Sequence, residues 1–241
     1  LPVLPMVLAQ VILESALPLT PPLAHFVNTS GVALDSALRL SSLQLAACGL
    51  AADAAGVVGW LLRHNPHVRE LDLSDNPLGV AGATIVAAAL PAARALGSLA
   101  LNDVSLASAG GTDPTALASL AHAVSALPAL ESLELRRNAL GASGFAGLHA
   151  LCDALASPDC KLRRLDLHGN CLQSGGAAIV AVALLQTTRL EELNLGSNLL
   201  TGPYGKAHKG VRSISIALAL NATLRVLDLS DNMIGERAAD R

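Results

Sequence analysis

The sequence predicts an α/β solenoid, a horseshoe with an inner parallel β-sheet and outer helices, built from about seven units. Three observations carry this reading. The pattern L-x-x-L-x-L-x-x-N/C-x-L recurs seven times, its second leucine falling at 43, 71, 99, 133, 165, 193 and 227. Successive spacings are 28, 28, 34, 32, 28 and 34 residues, the scale on which stacked supersecondary units repeat. The composition, 52% hydrophobic but only 2% aromatic, calls for a core of many small aliphatic side chains in thin repeated layers.

Residues 1–39 fit the pattern poorly and are expected to form an N-terminal helical or capping segment, with SGVALDSALRL (30–40) a helix running into the first strand. The repeat domain follows over 40–241. Its units read LSSLQLAACGL from Leu40, VRELDLSDNPL from Val68, LGSLALNDVSL from Leu96 and LESLELRRNAL from Leu130. They continue as LRRLDLHGNCL from Leu162, LEELNLGSNLL from Leu190 and LRVLDLSDNMI from Leu224. Strand side chains alternate between faces, so the leucines of each L-x-L point into the core and the residue between them points out.

After each strand the chain turns, and an inward asparagine can satisfy the backbone groups of a buried turn, with cysteine a poorer substitute. That slot is Cys48, Asn76, Val104, Asn138, Asn170, Asn198 and Asn232. Val104 is the break, and an irregular turn is expected there. Helical Ala/Leu-rich segments follow the turns at 82–90, 116–127, 147–155 and 177–185, and Asp113-Pro114 stands where an N-cap followed by proline at the first helical position would. Small Ala and Gly residues allow helices and strands to approach closely. The last unit runs out at GERAADR without a covering helix, so the C-terminal end is expected to be truncated, or covered by missing sequence or a partner.

Bulk properties exclude some functions. A net charge of −3 and a pI near 6.2 argue against a general nucleic-acid binder. Mean hydropathy is +0.50, yet no apolar run is long enough for a membrane span. The four cysteines form no C-x-x-C pair, which fits reduced thiols in the cytoplasm. The sequons at Asn28 and Asn221 read as chance or repeat consensus, and a chain opening on Leu1 reads as a piece of something longer.

The N-x-L-G-x-x-G turns (Asn76, Gly79, Gly82; Asn138, Gly141, Gly144) and ALASPDCKLRRLDLHGNCL (154–172) resemble the ribonuclease-inhibitor-like class of leucine-rich repeats. They are similar to repeats of NOD-like receptors, and the class includes Ran GTPase-activating proteins and axonemal leucine-rich-repeat proteins. The resemblance covers residues 40–234. It implies a leucine-rich-repeat solenoid whose surface binds macromolecules. Residues 1–39 depart from the pattern.

The outward strand positions give the concave face. The middle column is Gln44, Asp72, Ala100, Glu134, Asp166, Asn194, Asp228; the column before it is Ser42, Glu70, Ser98, Ser132, Arg164, Glu192, Val226. The column after it is Ala46, Ser74, Asn102, Arg136, His168, Gly196, Ser230. A basic island of Arg136, Arg137, Arg164 and His168 therefore sits beside Glu134 and Asp166 in mid-sheet, with acidic flanks at Glu70, Asp72 and Asp228. Arginine there suits bidentate recognition of carboxylate or phosphate; mutual pairing of the charges on a solvated face is the competing reading. A second candidate is the insertion GPYGKAHKGVR (202–212), with Tyr204, Lys206 and Lys209.

Trp60 reads as packing at a helix end, and His64-Asn65-Pro66-His67 as a helix-to-strand turn in preference to a metal site. There is no phosphate-binding loop, nucleophile elbow, H-E-x-x-H or dinucleotide fingerprint, so no cofactor and no enzymatic activity are expected. The expected function is a non-catalytic protein-interaction scaffold using the concave face, in the cytoplasm or on a cytoskeletal or ciliary axoneme. A Ran-type GTPase-activating protein and the sensor region of a NOD-like receptor are the alternatives.

Overall fold

The computed structural model describes residues 37–107, 113–142, 144–202 and 204–235. The expected capping segment therefore lies almost wholly outside the described residues, as do 108–112 of one inter-unit insertion and the last six residues.

Seven three-residue strands, β1 (Ser42–Gln44), β2 (Glu70–Asp72), β3 (Ser98–Ala100), β4 (Ser132–Glu134), β5 (Arg164–Asp166), β6 (Glu192–Asn194) and β7 (Val226–Asp228), form one parallel sheet in chain order. The register is unbroken: Leu43, Leu71, Leu99, Leu133, Leu165, Leu193 and Leu227 are successive partners. A one-residue slip would turn every leucine out to solvent, so the L-x-L pattern fixes this register.

Among the described residues six α-helices cover the opposite side: α1 (Ala55–His64), α2 (Gly79–Ala89), α3 (Thr115–Ala126), α4 (Ala146–Ala156), α5 (Gln173–Leu184) and α6 (Lys209–Leu220), each packed on its chain neighbours. Four match the sequence expectation within a few residues. Helix α6 begins at Lys209, inside the 202–212 insertion, because Val211, Ile214 and Ala217 at helical spacing are buried against α5. Trp60 is buried within α1, its ring stacked on His64 with centroids 4.3 Å apart.

The core is a single layer of leucine and alanine between sheet and helices. Each fully buried leucine removes apolar area worth roughly 2 kcal/mol from water. Asp113 Oδ1 accepts the Thr115 N–H at 2.9 Å, but α3 starts one residue later than expected, with Pro114 at the N-cap position and Asp113 just before it.

The turn asparagines are buried and saturated. Asn170 Nδ2 donates to the carbonyls of Leu135 (2.8 Å) and Leu167 (2.9 Å), while its Oδ1 accepts the Asn138 N–H at 2.8 Å. Asn198 and Asn232 repeat the scheme, linking four units into one hydrogen-bonded ladder. The expected irregularity at Val104 is not found. The residues flanking the slot have positive φ there, Asp103 (51°) and Ser105 (61°), as Arg137 (54°) and Ala139 (54°) do around Asn138. The Val104 and Leu106 amides are met by Asn138 Oδ1 from the next unit, so this turn does not depend on its own side chain. The deviation falls one unit earlier. Pro77 fixes φ near −65° and cannot take the second left-handed position; Gly79, with φ 63°, takes it instead.

Candidate functional site

The outward residues of β4 to β7 line a concave groove of about 340 Å³, whose walls include Glu134, Arg136, Arg164, Asp166, Glu192 and Asp228. Parallel pairing places these side chains in columns about 4.8 Å apart. Interdigitated pairing is the result. Arg136 donates through Nη2 and Nε to Asp166 Oδ2 at 2.7 and 2.8 Å. Asp166 also accepts from Asn194 Nδ2 (3.1 Å) and the His168 N–H (2.9 Å), so its acceptor capacity is used within the face.

Arg137 does not join this groove, contrary to the mid-sheet placement expected for it. It is the residue before Asn138, past the end of β4, and its left-handed backbone turns it to the rim. There it spans Asp103 and Asp75, both at 3.3 Å. Two of the three arginines of the basic island thus already hold carboxylates. Arg164 is exposed, and its guanidinium meets no carboxylate among the described residues, although Glu192 is its register partner on β6.

The acidic members are held by smaller contacts. Glu70 accepts from the Ser42 hydroxyl at 3.0 Å, Asp72 from the Ser74 N–H at 2.9 Å and Glu134 from Asn102 Nδ2 at 2.9 Å. Asp228 accepts the Ser230 N–H at 2.8 Å. That bond, with the Ser230 hydroxyl and the nearby His168, holds its carboxyl below the ordinary range against a small opposing effect of burial. His168 stands over Gly196: a Cβ there would lie 2.9 Å from His168 Nδ1 and 3.0 Å from Ser230 Oγ, so the missing side chain makes room for both.

Val226 is 55% exposed on the groove wall and gives it an apolar contact. It and Glu192 belong to the same column as Arg164, and ranking that column by exposure in addition to charge would have singled them out. Tyr204, 82% exposed, and Lys206 lie on the segment between the Asn198 turn and α6, which Lys209 opens. None of the three lines the groove. Among the described residues no group of His, Cys, Asp or Glu is arranged to hold a metal, and no helix is long and apolar enough to cross a membrane.

A family model described as a leucine-rich repeat matches residues 64–84, 159–178 and 220–239. Pig ribonuclease inhibitor is 30% identical over 226 residues, covering 84% of this chain and 48% of that protein. Mouse ribonuclease inhibitor is 34% identical over 167 residues, covering 69% of this chain and 35% of that protein. Mouse NACHT, LRR and PYD domains-containing protein 12 is 31% identical over 224 residues, covering 82% of this chain and 20% of that protein. The chain thus spans about half the length, or less, of these curated relatives.

Proposed function

The chain belongs to the ribonuclease-inhibitor-like leucine-rich-repeat family, and on that premise we propose that it is a non-catalytic scaffold whose concave sheet captures a protein partner with a basic contact surface. The observation that carries the reading is the charge left in the groove once internal pairs are made. Four carboxylates, Glu134, Asp166, Glu192 and Asp228, face two guanidinium groups, and Arg136 is already committed to Asp166. The residual face is acidic, with exposed Val226 two strands along from Arg164, whose guanidinium is the cationic contact left open among the described residues.

A partner presenting lysine or arginine beside an apolar residue, with one carboxylate for Arg164, is complementary to it. The names of two relatives, ribonuclease inhibitor, describe action on another protein, which supports the same class of function. Four free thiols support a reducing, cytoplasmic setting.

Affinity capture from cytosolic extract tests the reading. A protein retained by the native chain should be lost by an Asp228→Arg/Glu192→Arg variant and kept by Gln186→Glu on the exposed helical side. Equal retention by the concave variant, with its circular dichroism unchanged, would remove the concave face as the site.

A further inference from the structure

A second charged groove lies at the other edge of the sheet, where the strands begin. We propose that it binds a phosphate monoester carried on a segment of a protein partner, independently of the concave face. The groove, about 380 Å³, is lined by Arg163, Arg189, Arg225, Thr188, Thr223 and Glu191.

Its layout follows from the ladder. The Glu191 N–H donates to the Arg163 carbonyl at 2.8 Å and the Arg225 N–H to the Glu191 carbonyl at 2.7 Å, so these three side chains are successive rungs of one column. Arg163 Nη1 is held by Glu191 Oε1 at 3.2 Å, which neutralises the one acid in the groove. Arg189 and Arg225 are exposed, and their guanidinium groups meet no carboxylate among the described residues.

Two guanidinium forks that meet no carboxylate among the described residues, with Thr188 beside Arg189 and the Thr223 hydroxyl already donating to Asn221 Oδ1 at 3.3 Å, match the geometry of a phosphate better than that of a carboxylate. A phosphomonoester brings close to two negative charges and three peripheral acceptor oxygens, enough to take both arginines and a hydroxyl. A carboxylate has one charge and two oxygens and leaves a guanidinium unmatched. The thread of cations spans only two strand spacings, on the order of 10 Å, which is too short for the row of phosphates through which a duplex nucleic acid binds.

The test uses the whole chain at low ionic strength. Fluorescence anisotropy follows a dye-labelled Gly/Ser peptide bearing one phosphoserine, beside its unphosphorylated and Ser→Glu counterparts. The phosphopeptide should bind about tenfold or more tightly than either counterpart, as two charge-assisted contacts imply. Arg189→Glu/Arg225→Glu, and the milder Arg189→Ala/Arg225→Ala, should abolish that preference with unchanged circular dichroism, whereas Arg69→Glu, in the same column at the far end of the sheet, should retain it. Equal binding of phosphorylated and unphosphorylated peptides overturns the proposal, as does a preference that survives in both double variants. Equal binding of the glutamate peptide overturns it too, in favour of a groove for acidic segments. The concave variants do not touch this groove, so either site can fail alone.

Discussion

Replacing Asn198 by valine, the residue that unit three carries in the same slot, tests whether the asparagine ladder holds the solenoid together. Asn198 is fully buried. Its Nδ2 donates to the Leu167 and Gly196 carbonyls at 2.8 and 3.1 Å, and its Oδ1 accepts the Asn170 and Leu172 amides at 2.9 and 3.3 Å. The two carbonyls keep other partners, Asn170 Nδ2 for Leu167 and the Gly169 N–H for Gly196. The loss therefore rests on two buried amides. At about 1–3 kcal/mol for each unsatisfied group, and with one of the bonds long, the expected destabilisation is about 3–4 kcal/mol. That is a large fraction of the 5–15 kcal/mol typical of a folded domain.

Urea unfolding followed by circular dichroism reads it as a lower midpoint at unchanged slope. Hydrogen exchange should locate the loss at the Asn170 and Leu172 amides. The reciprocal change, Val104→Asn, offers the Asn76 amide an acceptor and should gain about 1 kcal/mol. An Asn198→Val chain that loses less than about 1 kcal/mol would refute the reasoning and leave the turns to their backbone dihedrals alone.

Thiol chemistry gives a second check. Burial, with Asp153 nearby, pushes the Cys152 thiol up to about 12. At mildly alkaline pH roughly one molecule in ten thousand then carries the thiolate. Cys171 is exposed. Mass spectrometry after iodoacetamide treatment should find Cys171 alkylated first and Cys152 protected until the chain unfolds. A third check uses Asp228, whose carboxyl is held low chiefly by the Ser230 N–H. A depressed folded-state value contributes stability above the unfolded value of about 3.9 and loses it as pH falls through the folded value. Asp228→Asn should therefore lower the urea midpoint near neutral pH, with the gap to the native chain closing at more acid pH.

Strands, register and ladder were legible because one period imposes them seven times over. The Val104 turn was misread because slot identity was taken to govern the turn. Positive φ at Asp103 and Ser105, and an acceptor reaching back from Asn138, carry it instead. The real deviation at Pro77 was readable, since proline forbids the dihedral the repeat needs there. The concave columns were also readable, but not the pairing across them. Arg137 reaches two rungs to Asp75, a diagonal contact that reading one column at a time does not reveal. The strand-start groove was not legible from the three outward columns. Arg163, Glu191 and Arg225 stand one position further upstream in each unit, and Thr188, Arg189 and Thr223 lie earlier still.

The overall charge of −3 hides how the charges are placed. Every unit contributes one residue to the strand-start edge, three to the concave face and one to the turn rim, so each column can acquire its own sign without disturbing the leucines behind it. In units five to seven the strand-start edge carries Arg163 and Arg225 on either side of Glu191, with Arg189 two residues upstream of it, while the groove on the same strands carries Asp166, Glu192 and Asp228 around Arg164. Opposite fields on two edges of one short sheet cancel in the net charge but not at the surface. A net charge that argues against a general nucleic-acid binder therefore does not speak against a local anion site. A partner that bridges both edges must present cationic and anionic groups about a strand's length apart. Such dipolar matching fixes orientation as well as affinity, because the partner reversed end for end would set like charges against each other.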